Sequence, residues 1–132
     1  ASGISQYIDS FQIENKYIAI IKDGSGVGKL QLCKSQSSII GTLGAIVSKE
    51  LPIEYIYAFM QTIDFKQFVT GMAIPHIYYK DYSEIKVPIP DIATINKIVN
   101  IFNGIDLTII TEENKYNYMI ELKQGLLQKI FI

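Results

Sequence analysis

The rhythm of apolar and polar positions changes repeatedly along the chain, and each change marks an element. Residues 16–22, KYIAIIK, form a β-branched and aromatic run bounded by lysines, which predicts a strand. Residues 23–28, DGSGVG, carry glycine at alternate positions and predict a turn. Leu30 and Leu32 then alternate with Lys29, Gln31 and Cys33, the period of a returning strand. KSQSS at 34–38 is a polar loop, and IIGTLGAIVS at 39–48 predicts one or two further strands with glycine breaks. From Pro52 the period lengthens. Leu51, Tyr55, Ala58 and Phe59 recur at helical spacing, extended by Met60 and Ile63. They predict a helix over 52–63, with a continuation to Phe68 left open, and Pro52 suits its first turn. TGMAIPHIYYK at 70–80 reads as a loop with a short extended piece. EIKVPIP at 84–90 is extended, because a residue before proline avoids the helical region.

Asp91 opens a different regime. Ile92, Ile95, Ile98, Val99 and Phe102 define an amphipathic helix capped near Asp91. Asn103-Gly104 weakens it, and a second, longer helix is predicted over 105–130. Its apolar stripe contains Ile105, Ile109, Tyr116, Met119, Leu126 and Ile130, close to the 3.5-residue spacing of a coiled coil and interrupted by Glu112. Roughly 25 residues of helix reach about 38 Å. One small domain rarely buries such a length, so the arm calls for another helix beside it. The expected class is α+β: a small mixed α/β domain over 1–90, then a helical region over 91–132.

Composition narrows the functional classes. Hydrophobic residues make up 48% of the chain, enough for a real core and against global disorder. No apolar run approaches the roughly 18–20 residues of a membrane span. Ala1-Ser2-Gly3 lacks a charged and apolar leader pattern, so a signal peptide is not expected, and the start reads as an added scar or a cut within a longer chain. Cys33 is the sole cysteine, which excludes an internal disulfide and fits a reducing cytosol. With His76 as the sole histidine, ligands for a metal are scarce and none is expected. The net charge is −1, and all 12 basic residues are lysines. That usage suggests an AT-rich bacterial genome. A free-standing DNA binder usually has a basic excess, and arginine is the preferred bidentate reader of guanine. DNA contact by this chain would therefore be shared with partners.

Gly24, Gly26 and Gly28 followed by Lys29 look like a phosphate-binding loop. Such a loop needs G-x-x-x-x-G-K-[ST] between a strand and a helix. Here Asp23 stands at the first glycine position and Leu30 at the hydroxyl position, and LQLCK has strand character. The helix terminus that would attract phosphate is missing. The G-x-G-x-x-G dinucleotide pattern fails on spacing. A glycine-rich hairpin turn is the favoured reading. No nucleophile–base pair stands out either, because His76 with Cys33 or a serine lacks a third orienting group.

The order of features from residue 71 onward resembles the specificity subunit of type I restriction–modification systems. The stretches are GMAIPHIYYKDYSEIKVPIPDI (71–92), INKIVNIFNGID (95–106) and IELKQGLLQKIFI (120–132). The matching features are a glycine-containing loop before an extended segment, the P-x-P of Pro88-Ile89-Pro90 closing a strand, the Ile105-Asp106 step, and the tail Leu126-Leu127-Gln128 with Phe131. The family's Glu-Gln pair is replaced by Ile95-Asn96. The resemblance covers roughly 16–132, as one target-recognition domain incomplete at its N-terminus plus one conserved helical region.

The resemblance implies a non-catalytic subunit. Each recognition domain would read one half of a split target in double-stranded DNA. The helical regions would pair antiparallel as a coiled-coil spacer and dock methyltransferase subunits. S-adenosylmethionine, ATP and magnesium would belong to the modification and restriction subunits. The chain itself would need no cofactor, would work in the bacterial cytoplasm, would have no membrane role, and would form a homodimer as a fragment. The alternative is a dimerising interaction protein with no DNA role; a nucleotide-binding enzyme through 23–29 is the weaker third reading.

Direct readout needs side chains on loops, with lysines holding the backbone. The candidates are Lys22, Ser25 and Lys29 at the glycine turn, then Lys34, Gln36 and Ser37 in the polar loop. Thr70, His76, Tyr78, Tyr79 and Lys80 complete the set. Each also has a plain reading as a solvated or half-packed loop residue. Helix pairing is assigned to Ile105, Ile109, Tyr116, Met119, Leu126 and Ile130, against packing on their own domain.

Overall fold

The computed structural model describes residues 6–131. The expectation drawn from Ala1-Ser2-Gly3 lies outside them. The chain divides after Pro90 into two units. The first is built on a three-stranded antiparallel sheet of order β2-β1-β3: β1 Tyr17–Ile21, β2 Leu30–Cys33 and β3 Leu43–Ile46. All of β1 is buried, which is why its sequence is an unbroken apolar run and not an alternation. Register stacks Ile18 with Leu32 and Ile46, and Ile20 with Leu30 and Gly44, on one face of the sheet. Onto that face packs the core of Ile53, Met60, Phe65, Ile77 and Tyr82. Gly44 sits close against its sheet neighbour: a Cβ there would lie 3.1 Å from the Ile20 Cγ2.

Helix α1, Ile53–Met60, follows Pro52, which stands just before the helix as its cap. It ends earlier than its apolar period suggests. The Thr62 hydroxyl donates 2.7 Å to the Phe59 carbonyl, and Asp64 caps a separate 3₁₀ turn, Phe65–Phe68, by accepting from the Lys66 amide at 3.1 Å. Lys16 bonds Glu54 at 2.7 Å and ties the start of β1 to α1. Burial works against the Glu54 carboxylate, yet this lysine holds its pKa below the usual value. Residues 39–48 give one strand, β3, after a turn at Gly41. A short helix α2, Tyr79–Tyr82, occupies sequence expected to be loop. The P-x-P segment is not a sheet strand; the Tyr55 hydroxyl anchors it by donating 2.7 Å to the Pro88 carbonyl.

The second unit is one helix, α3, Ile92–Ile130, about 58 Å long at 1.5 Å per residue. Asp91 caps it, its carboxylate accepting from the Thr94 amide at 3.0 Å and hydroxyl at 2.7 Å, which lowers the Asp91 pKa. The break expected at Asn103-Gly104 does not occur. A helical glycine costs only about 1 kcal/mol against alanine, and once a helix is nucleated each further residue adds a hydrogen bond, so a helix of 39 residues absorbs that cost. The Gly104 carbonyl also accepts the Thr108 hydroxyl at 2.9 Å. Among the described residues no helix is long and apolar enough to cross a membrane.

Candidate nucleic-acid interface

The glycine stretch is the turn of the β1–β2 hairpin. Four of its amides are already engaged: Gly24 donates to Pro75 at 2.9 Å, Val27 to Gly24 at 3.1 Å, Gly28 to Ile21 at 2.9 Å and Lys29 to Gly26 at 3.1 Å. A phosphate cradle needs such groups free and converging, and here four of them are taken up within the fold. Gly28 serves packing instead: it has a φ of +81°, and a Cβ there would lie 2.7 Å from the Cβ of buried Phe65.

The turn is bound to a loop far away in sequence. The Ile77 amide donates to the Lys22 carbonyl at 3.0 Å, beside the Gly24–Pro75 bond. The His76 ring nitrogen Nδ1 meets the Asp23 carboxylate, 53 residues earlier in the chain. Thr70 and His76 exchange both backbone bonds at 2.8 Å and close the loop between them. The His76 ring lies on Tyr78 with centroids 4.2 Å apart, and the Lys80 ammonium sits 5.6 Å from the Tyr78 ring centroid. Aspartate, imidazole, phenol and ammonium thus form a chain across the end of β1, with two donors and a ring face in partial contact with water. Such a surface can offer hydrogen bonds to base edges and positive charge to phosphates.

The structure brings together Lys22, Ser25, Lys29, Thr70, His76, Tyr78, Tyr79 and Lys80 at this end. Ser25, Lys29, Thr70, Tyr78, Tyr79 and Lys80 are exposed, whereas Lys22 and His76 are half-buried. Tyr79 and Lys80 stand on α2 and not on a free loop. Tyr79 also packs edge-on against Tyr82, 5.5 Å between centroids. Lys34, Gln36 and Ser37 lie at the opposite end of β1. Cys33 pairs with Tyr17, and the Ser37 hydroxyl lies 3.1 Å from the Tyr17 hydroxyl. From Tyr17 to Lys22 the strand advances about 16 Å, so the candidates form two clusters. Gln36 adopts a left-handed φ of 53°, rare for a residue with a side chain, while its amide donates to the Glu14 carbonyl at 3.0 Å.

On α3, Ile105, Ile109, Tyr116, Met119, Leu126 and Ile130 are all exposed, as the pairing expectation requires. The partnership of Asp23 with His76 escaped the sequence reading, which took Asp23 only as an argument against phosphate. Nothing in local spacing signals a pair so distant. Among the described residues no group of three or more side chains is placed to hold a metal ion.

Residues 1–122 match the family model of the type I restriction modification DNA specificity domain. The specificity subunit of the type I restriction enzyme MjaVIII of Methanocaldococcus jannaschii is 25% identical over 118 residues, 86% of this chain. The chain spans 28% of that relative's length. With nearly all of its length matched, the chain belongs to the family of type I restriction modification DNA specificity domains.

Proposed function

We propose that this chain is a sequence-specific DNA recognition module of a type I restriction–modification complex. It reads one half of a split target in double-stranded DNA and docks methyltransferase subunits through its helical arm. The observation that carries this reading is the family match over residues 1–122. The linked loops at the end of β1 supply the reading surface, and the exposed stripe of α3 supplies the seam for a partner helix. The module contributes no catalysis of its own. Methyl transfer with S-adenosylmethionine, and ATP- and magnesium-dependent cutting, belong to the modification and restriction subunits. The site of action is the bacterial cytoplasm, where the DNA is.

A net charge of −1 with an exposed apolar helix also favours a second reading, a dimerising interaction protein without DNA. One experiment separates them. Fluorescence anisotropy with duplex DNA, with and without methyltransferase subunits, yields saturable binding that strengthens when the subunits are added. No binding in either case refutes the DNA-recognition reading.

A further inference from the structure

The loop between Thr70 and His76 carries apolar side chains at its tip. Gly71 holds a φ of +87°, and a Cβ there would lie 2.5 Å from the Ile74 carbonyl oxygen, so the turn depends on a residue without a side chain. Below the tip, the Thr70–His76 bonds, the Gly24–Pro75 bond and the Asp23–His76 pair fix the base of the loop to the hairpin turn. Met72 at 105% and Ile74 at 70% exposure stand in water on this tethered base. Lys22, Lys29, Lys80 and Tyr78 belong to the same end of β1.

Arginine is absent from the sequence, and with it the bidentate reader of guanine. What this chain can use to tell base pairs apart in a major groove is hydroxyls, amides, carboxylates, an imidazole, ammonium groups and apolar contact with the thymine 5-methyl group. We propose that Met72 and Ile74 form an apolar tip that reads thymine methyl groups in the major groove of duplex DNA. This rests on the recognition function proposed above and adds its chemistry. The lysines hold the phosphates and set register, and the tip discriminates. Cytosine carries hydrogen where thymine carries methyl, so a cytosine at the contacted position leaves the tip partly wet.

Duplexes selected by the full 132-residue chain, together with methyltransferase subunits, from a randomised pool supply the probe. Resynthesis with deoxyuridine in place of thymine removes the methyl group and alters no hydrogen-bonding group. The wild-type chain is expected to lose affinity about fourfold for each methyl it contacts. The double variant Met72→Ala/Ile74→Ala binds the thymine duplex as weakly as the wild type binds the deoxyuridine duplex, and no longer distinguishes the two. Its salt dependence stays unchanged, because neither side chain meets a phosphate. Equal binding of both duplexes by the wild type overturns the methyl-reading tip and leaves DNA recognition standing. Failure to retain any duplex overturns the recognition function, and the tip with it.

Discussion

Replacing Gly28 by alanine places a methyl group against the core. The backbone there has a φ of +81°, and the new Cβ would lie 2.7 Å from the Phe65 Cβ. An L-residue in the left-handed region costs roughly 1–2 kcal/mol. Phe65 is buried, and the atom struck is its Cβ, which cannot swing aside as a side-chain end could. Forcing a methyl into that space adds about 1–3 kcal/mol. A stiffer unfolded chain offsets roughly 0.4–1 kcal/mol. The net loss is about 1–5 kcal/mol. Gly24→Ala is the control. Its φ is +91°, with nothing within 4 Å of the added Cβ, so it bears the backbone cost without the clash. The two variants should therefore differ by about 1–3 kcal/mol. Urea unfolding followed by near-ultraviolet circular dichroism of the packed tyrosines measures this, with a midpoint lowered by about 1 M or more for Gly28→Ala. Equal losses for both alanines would refute the claim that this glycine turn is shaped by its contact with Phe65.

Asp23→Ala should lower stability by about 1 kcal/mol and His76→Ala by at least as much, since it also removes the ring contact with Tyr78; the double variant should lose little more than His76→Ala alone, because both remove the same hydrogen bond; additive losses in a double-mutant cycle would argue against the pair. Burial pushes the Tyr82 phenol above its ordinary pKa of 10.0, with Tyr79 adding to the effect. The unfolded phenol then loses its proton first, so the native state binds more protons as pH rises past that value, and stability should fall there while remaining intact below it. Tyr82→Phe should flatten this alkaline slope in urea midpoints measured against pH, and an unchanged slope would exclude Tyr82 as its source. Leu126→Asp should weaken self-association of the chain through α3 about 10-fold or more, since a buried leucine is worth about 1.5–3 kcal/mol; sedimentation velocity reads this, and a wild type that stays monomeric at high concentration sinks the pairing seam.

Much of the fold was legible because local pattern and burial agree. The apolar run of β1 is central and wholly buried, Pro52 stands at the start of α1, and Asp91 caps α3 through Thr94. The misreadings arose where a pattern has two physical solutions. Apolar residues at 63–68 keep a helical period, but the Thr62 and Asp64 side chains bond the backbone locally and turn it into a 3₁₀ segment. Asn-Gly is a turn signal between strands, but inside one long cooperative helix it only weakens the helix.

The candidate site was legible in its parts and not in their arrangement. Polar loop residues can be picked from sequence, yet which of them share a surface is set by sheet register. β1 separates the Lys34–Ser37 cluster from the Lys22–His76 cluster by about 16 Å. Isolated bridges outside the sheet join Asp23 and Thr70 to His76, with Met72 and Ile74 exposed on the tip between Thr70 and His76. A search confined to charged and hydroxyl side chains passes over those two residues. The hydrophobic effect ordinarily draws such groups into a core, and here tight backbone bonding at the loop base holds them outside it.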